Sequence, residues 1–194
     1  VKVGGVVRDI DASQMAEIVS VLDGIKGEYT QIMNTLLTDT SVKNRTVGVG
    51  HITTEDAAAL SMVGPFARAS NLPYDVRSFG RGAYGDLADF APITATEGDC
   101  YARVKVRCLE VLQSIEIIKE LGAKTPAGDI EVAVKGAPAD GAQASNVLEQ
   151  PRGECYYYAR GNGSKNLERM RMRTPTSQNL AGMTVALKGC DLAD

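Results

Sequence analysis

Tryptophan is absent, histidine occurs once, and aromatic residues make up only 5% of the 194-residue chain. With His51 alone, and no serine in a Gly-x-Ser-x-Gly elbow, the sequence holds no evident nucleophilic triad. His51 is expected to be structural. The four cysteines, Cys100, Cys108, Cys155 and Cys190, stand far apart and form no C-x-x-C, which argues against a zinc site or a disulfide framework and for a reduced, cytosolic chain. No apolar run approaches the roughly 18 to 20 residues that span a bilayer, and no basic segment leads into an apolar signal core, so membrane association is expected only through another protein. The glycines at Gly4-Gly5, Gly48, Gly50 and between Gly80 and Gly85 do not spell a phosphate-binding loop. A net charge of −3, with acids and bases mixed throughout, gives no single-sign field for nucleic acid.

What is present is an apolar fraction of 44%, ordinary for one globular domain with a real core. The chain starts directly in the apolar Val1-Lys2-Val3 and stops at Asp194 just after a helical pattern, so we expect an excised segment.

Met15, Ile18, Leu22, Ile25, Tyr29, Ile32 and Leu36 alternate steps of three and four, the seam of an amphipathic helix. Asp11 with Gln14 supplies its capping box. A short helix is expected from Thr53 to Val63, stopped by Gly64-Pro65, followed by an ordered loop region to Pro92. A long helix follows from about Glu97 to Leu121, capped by Thr96 with Asp99, its apolar stripe running through Tyr101, Val104, Cys108, Val111, Ile115 and Ile118. Ile130 to Val134 has the composition of a strand and Ala137 to Asn146 that of a loop. Glu154 to Arg160 and Leu167 to Arg173 form a hairpin across Gly161-Asn162-Gly163-Ser164, after which Ser177 caps a final helix of about fifteen residues. The fold class is therefore α+β, mainly α: long antiparallel helices of a bundle plus a small hairpin sheet. It is read as a single domain over 1–194, with a helical part at 1–125, a sheet at 126–176 and a helix at 177–194.

Two charge patterns stand out. Arg169, Arg171 and Arg173 share one face of the second hairpin strand, either a solvated sheet face or a surface for an acidic partner. Asp99, Arg103, Arg107 and Glu110 share one helix face, suited to a charge ladder or a polar path for a partner interface or protons, with a surface row of ion pairs as the plain reading of that spacing.

Beyond these, motifs point to a family. Glu149-Gln150-Pro151-Arg152-Gly153-Glu154, then Arg173-Thr174-Pro175-Thr176-Ser177-Gln178-Asn179, resemble two ordered motifs of [NiFe] hydrogenase large subunits, E-A-P-R-G and V-P-T-T-W-N. Further matches cover most of the chain: Val3-Gly4-Gly5-Val6 with Arg8-Asp9, Arg45-Thr46-x-Gly48-x-Gly50, Gly64-Pro65-x-x-Arg68-Ala69-Ser70, Asp75-x-Arg77 and Glu97-Gly98-Asp99-x-Tyr101-x-Arg103. Their order resembles the energy-converting, formate-hydrogenlyase type of large subunit, a family shared with the quinone-site subunit of respiratory complex I.

The resemblance implies that Arg152 overhangs a nickel–iron centre carrying cyanide and carbon monoxide, as an outer catalytic residue, and that Pro175, Thr176 and Ser177 border the pocket of the diatomic ligands. The alternative for Ser177 is an ordinary helix cap. Such subunits bind metal through two C-x-x-C pairs that this sequence lacks, so no metal ligand is assigned and the chain alone is expected to hold no centre and turn over no hydrogen. Implied partners are an iron–sulfur small subunit, membrane subunits, and ferredoxin or a formate dehydrogenase as electron donor, on the cytoplasmic face of the membrane. In the complex I branch the equivalent cavity takes quinone. Pro175-Thr176-Ser177 and Asn179 favour the hydrogenase, since complex I chains tend to have Pro-Gly-Phe and then His-Leu there. A structural docking module is the reading from a different class.

Overall fold

A computed structural model describes residues 2–191. Helix α1 (Ala12–Thr38) starts at the expected capping box: Gln14 donates its backbone N–H to the Asp11 side chain, and Asp11 its own to the Gln14 side chain. The buried seam of α1 is not the one expected. Ile25, Ile32 and Leu36 are exposed, whereas Met33 is buried and Leu37 partly so. A strict alternation of three and four averages 3.5 residues, and a helix of 3.6 residues per turn drifts off it, so the inward positions become Met15, Ile18, Leu22, Tyr29, Met33 and Leu37.

Asp39 accepts from the backbone N–H of Val42 and starts α2 (Thr40–Thr46), a helix the periodicity does not reveal. Thr53 caps α3 (Thr54–Ala59) with its hydroxyl accepting from Asp56, as expected, but α3 ends well before Val63. Pro65 opens the one-turn helix α4 (Pro65–Arg68), and two 3₁₀ turns, Val76–Phe79 and Gly82–Asp86, order the connecting region.

Helix α5 (Cys100–Ala123) runs antiparallel to α1. Tyr101 donates its hydroxyl to the carbonyl of Leu37, Tyr29 to that of Cys108, and Lys119 pairs with Asp23, so the contacts march in opposite directions. Its cap is Asp99 and not Thr96: the Asp99 carboxylate accepts from the N–H groups of Ala102, at 2.8 Å, and of Gly48, at 2.7 Å. On the expected stripe Ile115 is buried, but Val111 and Ile118 are exposed.

Ile130 to Val134 is not a strand; Glu131 makes a single bridge to Gly5. The stretch read as a loop instead enters β1 (Gln143–Gln150), which pairs antiparallel with β2 (Gly153–Gly161), itself antiparallel to β3 (Leu167–Arg173). The hairpin is therefore one half of a three-stranded meander. The final helix is broken into α6 (Pro175–Gln178) and α7 (Leu180–Ala186). Thr174, one turn ahead of the expected Ser177, caps α6 by accepting from the N–H of Ser177. The last residues of that expected helix, 192–194, lie outside the described residues.

The core is built from small side chains, which suits a chain poor in aromatics. Ala69, Ala95, Ala102 and Val106 seat α5 against the segment after α4, and Ile52, Ala57, Met62, Ala67 and Ala186 join α3, α4 and α7. Close backbone approach replaces bulky filling.

Candidate active site

The turn between β1 and β2 holds Pro151 and Arg152, and it reaches α4 through two glycines set back to back. Gly64 (φ +71°) and Gly153 (φ +125°) both adopt conformations unfavourable to other residues. A Cβ on Gly64 would lie 2.2 Å from the Arg152 carbonyl oxygen, and one on Gly153 would lie 2.7 Å from the Gly64 nitrogen. No side chain fits between them, so the Arg152 backbone is pressed onto the start of α4.

The second motif is tied to the same place from the other side. Asn179, at the joint between α6 and α7, accepts from the Val63 N–H at 2.9 Å and donates to the Val63 carbonyl at 3.0 Å. Gln178 donates to the Ser61 carbonyl at 2.8 Å. The segment from Ser61 to Gly64 is thus gripped by the Pro175 turn and abutted by Arg152. Pro175 is buried, Thr176 and Ser177 are exposed, and so is Arg152. The Ser177 and Thr174 hydroxyls lie 3.0 Å apart.

Close by lies a charged network whose members figure in the sequence only as parts of separate motifs and, for Glu110, of the α5 charge row. Arg68 is 1% exposed and its guanidinium contacts three carboxylates: Glu110 at 2.7 Å, Glu149 at 2.9 Å and Asp75 at 3.2 Å. It also donates to the Tyr74 carbonyl at 3.0 Å. Arg77 makes a second, two-pronged pairing with Asp75, at 2.7 and 3.0 Å, and its guanidinium lies 4.9 Å from the centre of the Phe90 ring. Glu149 also accepts from the Val76 N–H at 3.2 Å. Burial, reinforced by Asp75 and opposed by Arg68, raises the Glu149 carboxyl above the usual range. The signal was in the sequence: Gly-Pro-x-x-Arg, Asp-x-Arg and Glu-Gln-Pro-Arg are separate motifs whose charges converge only in the fold.

The network borders a cleft of about 340 Å³ lined by Arg68, Arg77, Arg107, Glu110, Glu149 and Pro151, among others. Arg107 donates to the Pro151 carbonyl at 3.3 Å. A second cavity of about 520 Å³ lies near α6, with Met62, Val63 and Leu72 supplying apolar walls and Tyr74, Glu154 and Arg173 polar ones. There the Tyr74 hydroxyl donates to one Glu154 oxygen while Arg173 pairs with the other. Burial, then the bond to Glu154, pushes the Tyr74 phenol up to about 12.

Two charge expectations change accordingly. The α5 row is not a surface ladder: Asp99 is a buried cap, Arg103 donates to the carbonyls of Gly50 and Gly98 and stacks over Phe66, and Glu110 turns to Arg68. On β3, Arg169 and Arg171 are exposed as expected, but Arg173 folds onto Glu154. His51 is exposed. The four cysteines are free, and among the described residues no group of three or more His, Cys, Asp or Glu is placed to hold a metal ion.

The family model described as "Respiratory-chain NADH dehydrogenase, 49 Kd subunit" matches residues 1–140 and 130–194. The chain belongs to this family. Among its relatives, the carbon monoxide-induced hydrogenase of Rhodospirillum rubrum is 32% identical over 99% of this chain and 53% of its own length. A subunit of the F(420)H(2) dehydrogenase of Methanosarcina mazei and one of the NADH-quinone oxidoreductase of Herpetosiphon aurantiacus are each 32% identical over 98% of this chain and 53% of theirs. The chain therefore spans about half the length of these curated relatives. A chain of the membrane-bound sulfane sulfur reductase, an archaeal respiratory membrane complex, shares the fold at a TM-score of 0.81 and 24% identity, covering 96% of this chain and 57% of that one. The family's hydrogenase and complex I branches are both represented, as the motifs imply. Among the described residues no helix of this 49 kDa-type chain is long and apolar enough to cross a membrane.

Proposed function

We propose that this chain is part of the catalytic large subunit of a membrane-associated [NiFe] hydrogenase, interconverting two protons and two electrons with H₂. The observation that carries the reading is the grip of Asn179 on Val63, beside the Gly64–Gly153 contact that seats Arg152. It holds both hydrogenase-like motifs against one segment, 61–64, which supports reading them as parts of one site.

The chain's own donors do not suit the first coordination sphere, because the cysteines are scattered. The thiolate ligands are therefore assigned to parts of the full-length subunit that this chain does not span. The residues present fit the outer sphere. When bound, the centre supplies the two-electron chemistry. Arg152, held by its backbone, would offer a guanidinium to orient small ligands, Thr176 and Ser177 would offer hydroxyl donors, and Pro175 would hold the turn. Electrons would arrive from an iron–sulfur small subunit fed by ferredoxin or a formate dehydrogenase, and membrane subunits would hold the assembly on the cytoplasmic face.

A second reading, a quinone-type electron-transfer subunit, is favoured by the NADH-quinone oxidoreductase relative at the same 32% identity. Nickel analysis of the purified full-length subunit separates them. The hydrogenase reading expects about one nickel per chain and a loss of H₂ turnover in Arg152→Ala of about 100-fold or more. No nickel and no hydrogen activity would replace it with the quinone reading, and full turnover in the variant would remove Arg152 from the mechanism.

A further inference from the structure

The sheet ends on β3, and that edge is open. At the opposite edge β1 runs beside the 3₁₀ turns, where Asn146, Val147 and Leu148 share a cleft with Val76, Arg81 and Tyr84. On β3, Leu167 to Met172 are all exposed, and among the described residues no backbone hydrogen bond leaves the strand except to β2. Alternate residues of an antiparallel edge strand turn both backbone groups outward, so β3 presents a row of unanswered donors and acceptors. Such edges are commonly blunted by a proline, a bulge or a very short strand. β3 is seven residues long and holds no proline, and the register shift lies at the hairpin end, at Arg160/Gly161 of β2.

Charge is the guard that remains, and it is selective. Side chains alternate along the strand, which places Arg169 and Arg171 on one face and Met170 and Met172, 50% and 59% exposed, on the other. Of the four arginines in β2 and β3, Arg160 pairs with Glu168 and Arg173 with Glu154. Arg169 and Arg171 make no ion pair among the described residues, in a chain with 24 acidic residues against 21 basic ones.

We propose that the free edge of β3 takes an extended segment of another subunit as a fourth strand, with side chains that alternate acidic and apolar. Its acids would lie beside Arg169 and Arg171, its apolar residues beside Met170 and Met172, and its backbone would answer the open row. A second copy of β3 does not fit. Any register that keeps the arginine face together sets arginine against arginine, and like charges directly opposite are destabilising. The presence of other subunits rests on the assembly proposed above, in either its hydrogenase or its quinone form.

Amide hydrogen exchange tests this, comparing the purified complex with the full-length subunit alone. The outward amides of residues 167–173 are expected to exchange about tenfold or more slowly in the complex. That protection should be lost in Arg169→Glu/Arg171→Glu and kept in Arg169→Lys/Arg171→Lys. Both arginines are exposed, and unchanged protection of β2 verifies that the sheet of each variant is intact. Failure of the glutamate variant to assemble, with β2 still protected, counts as the same loss. Equal exchange in complex and subunit overturns the proposal, whether both are fast, with the edge unused, or both slow, with the edge covered by the subunit's own chain. Protection that survives the glutamate substitutions overturns the charge selection, and protection in a self-associated subunit without other chains assigns the edge to a second copy instead. Nickel content plays no part in the readout, so the hydrogenase reading can fail while this one stands.

Discussion

Single residues carry unequal weight here, and two of the heaviest have no side chain to show for it or hide it completely. Gly153→Ala must place a methyl 2.7 Å from the Gly64 nitrogen and adopt φ +125°, so we expect a loss of at least about 2 kcal/mol, read by urea denaturation. Arg68→Met should cost about 3–5 kcal/mol, because it strands three carboxylates around an apolar group. A loss below about 1 kcal/mol would mean that the network is solvated. The same network separates what was legible from what was not. Arg68 and Asp75 stand only seven positions apart and already belong to quoted motifs, but Glu110 and Glu149 lie 42 and 81 residues from Arg68, and no local pattern reports such distances.

At the scale of elements, caps decide where helices begin, and α5 illustrates why sequence misplaced one. Thr96 with Asp99 has the spacing of a capping box, and Asp99 three residues before Ala102 is an equally good cap. The choice falls to Asp99 because its second oxygen also takes the N–H of Gly48, from a segment 51 residues away. Asp99→Ala therefore removes a cap and leaves a distant donor unpaired, and should cost about 2 kcal/mol or more. Asp11→Ala, which removes only an exposed capping box, should cost about 1 kcal/mol. Equal losses in thermal denaturation would refute the assignment of the extra bond. The hidden strand β1 has a similar explanation. Gln143 to Asn146 are small and polar, and they enter the sheet because β2 offers them a full antiparallel ladder, not through any strand preference of their own.

For the whole molecule, the raised Glu149 carboxyl links stability to pH. Its folded-state value lies above the unfolded one, so the folded chain binds the extra proton. That stabilisation is complete below the ordinary value of about 4.3 and is lost as pH rises through the folded-state value. Glu149→Gln should flatten this part of the profile in urea titrations at a series of pH values; an unaltered slope would show that another group is responsible.

The local patterns of this chain determined its class and much of its outline: two long helices, a capping box at Asp11, a short helix from Thr53, a hairpin about Gly161, and ordered motifs sufficient to place it in the 49 kDa family. Those features depend on neighbours within a turn or two, where periodicity and side-chain chemistry act directly. Tertiary structure alone decided which helix face is buried, which residue caps α5, that Arg173 leaves the solvated face, and that Arg152, Asn179 and the Arg68 network meet at one place. Each is settled by partners dozens of residues away, whose charges and backbone groups acquire neighbours only when the chain has closed around them.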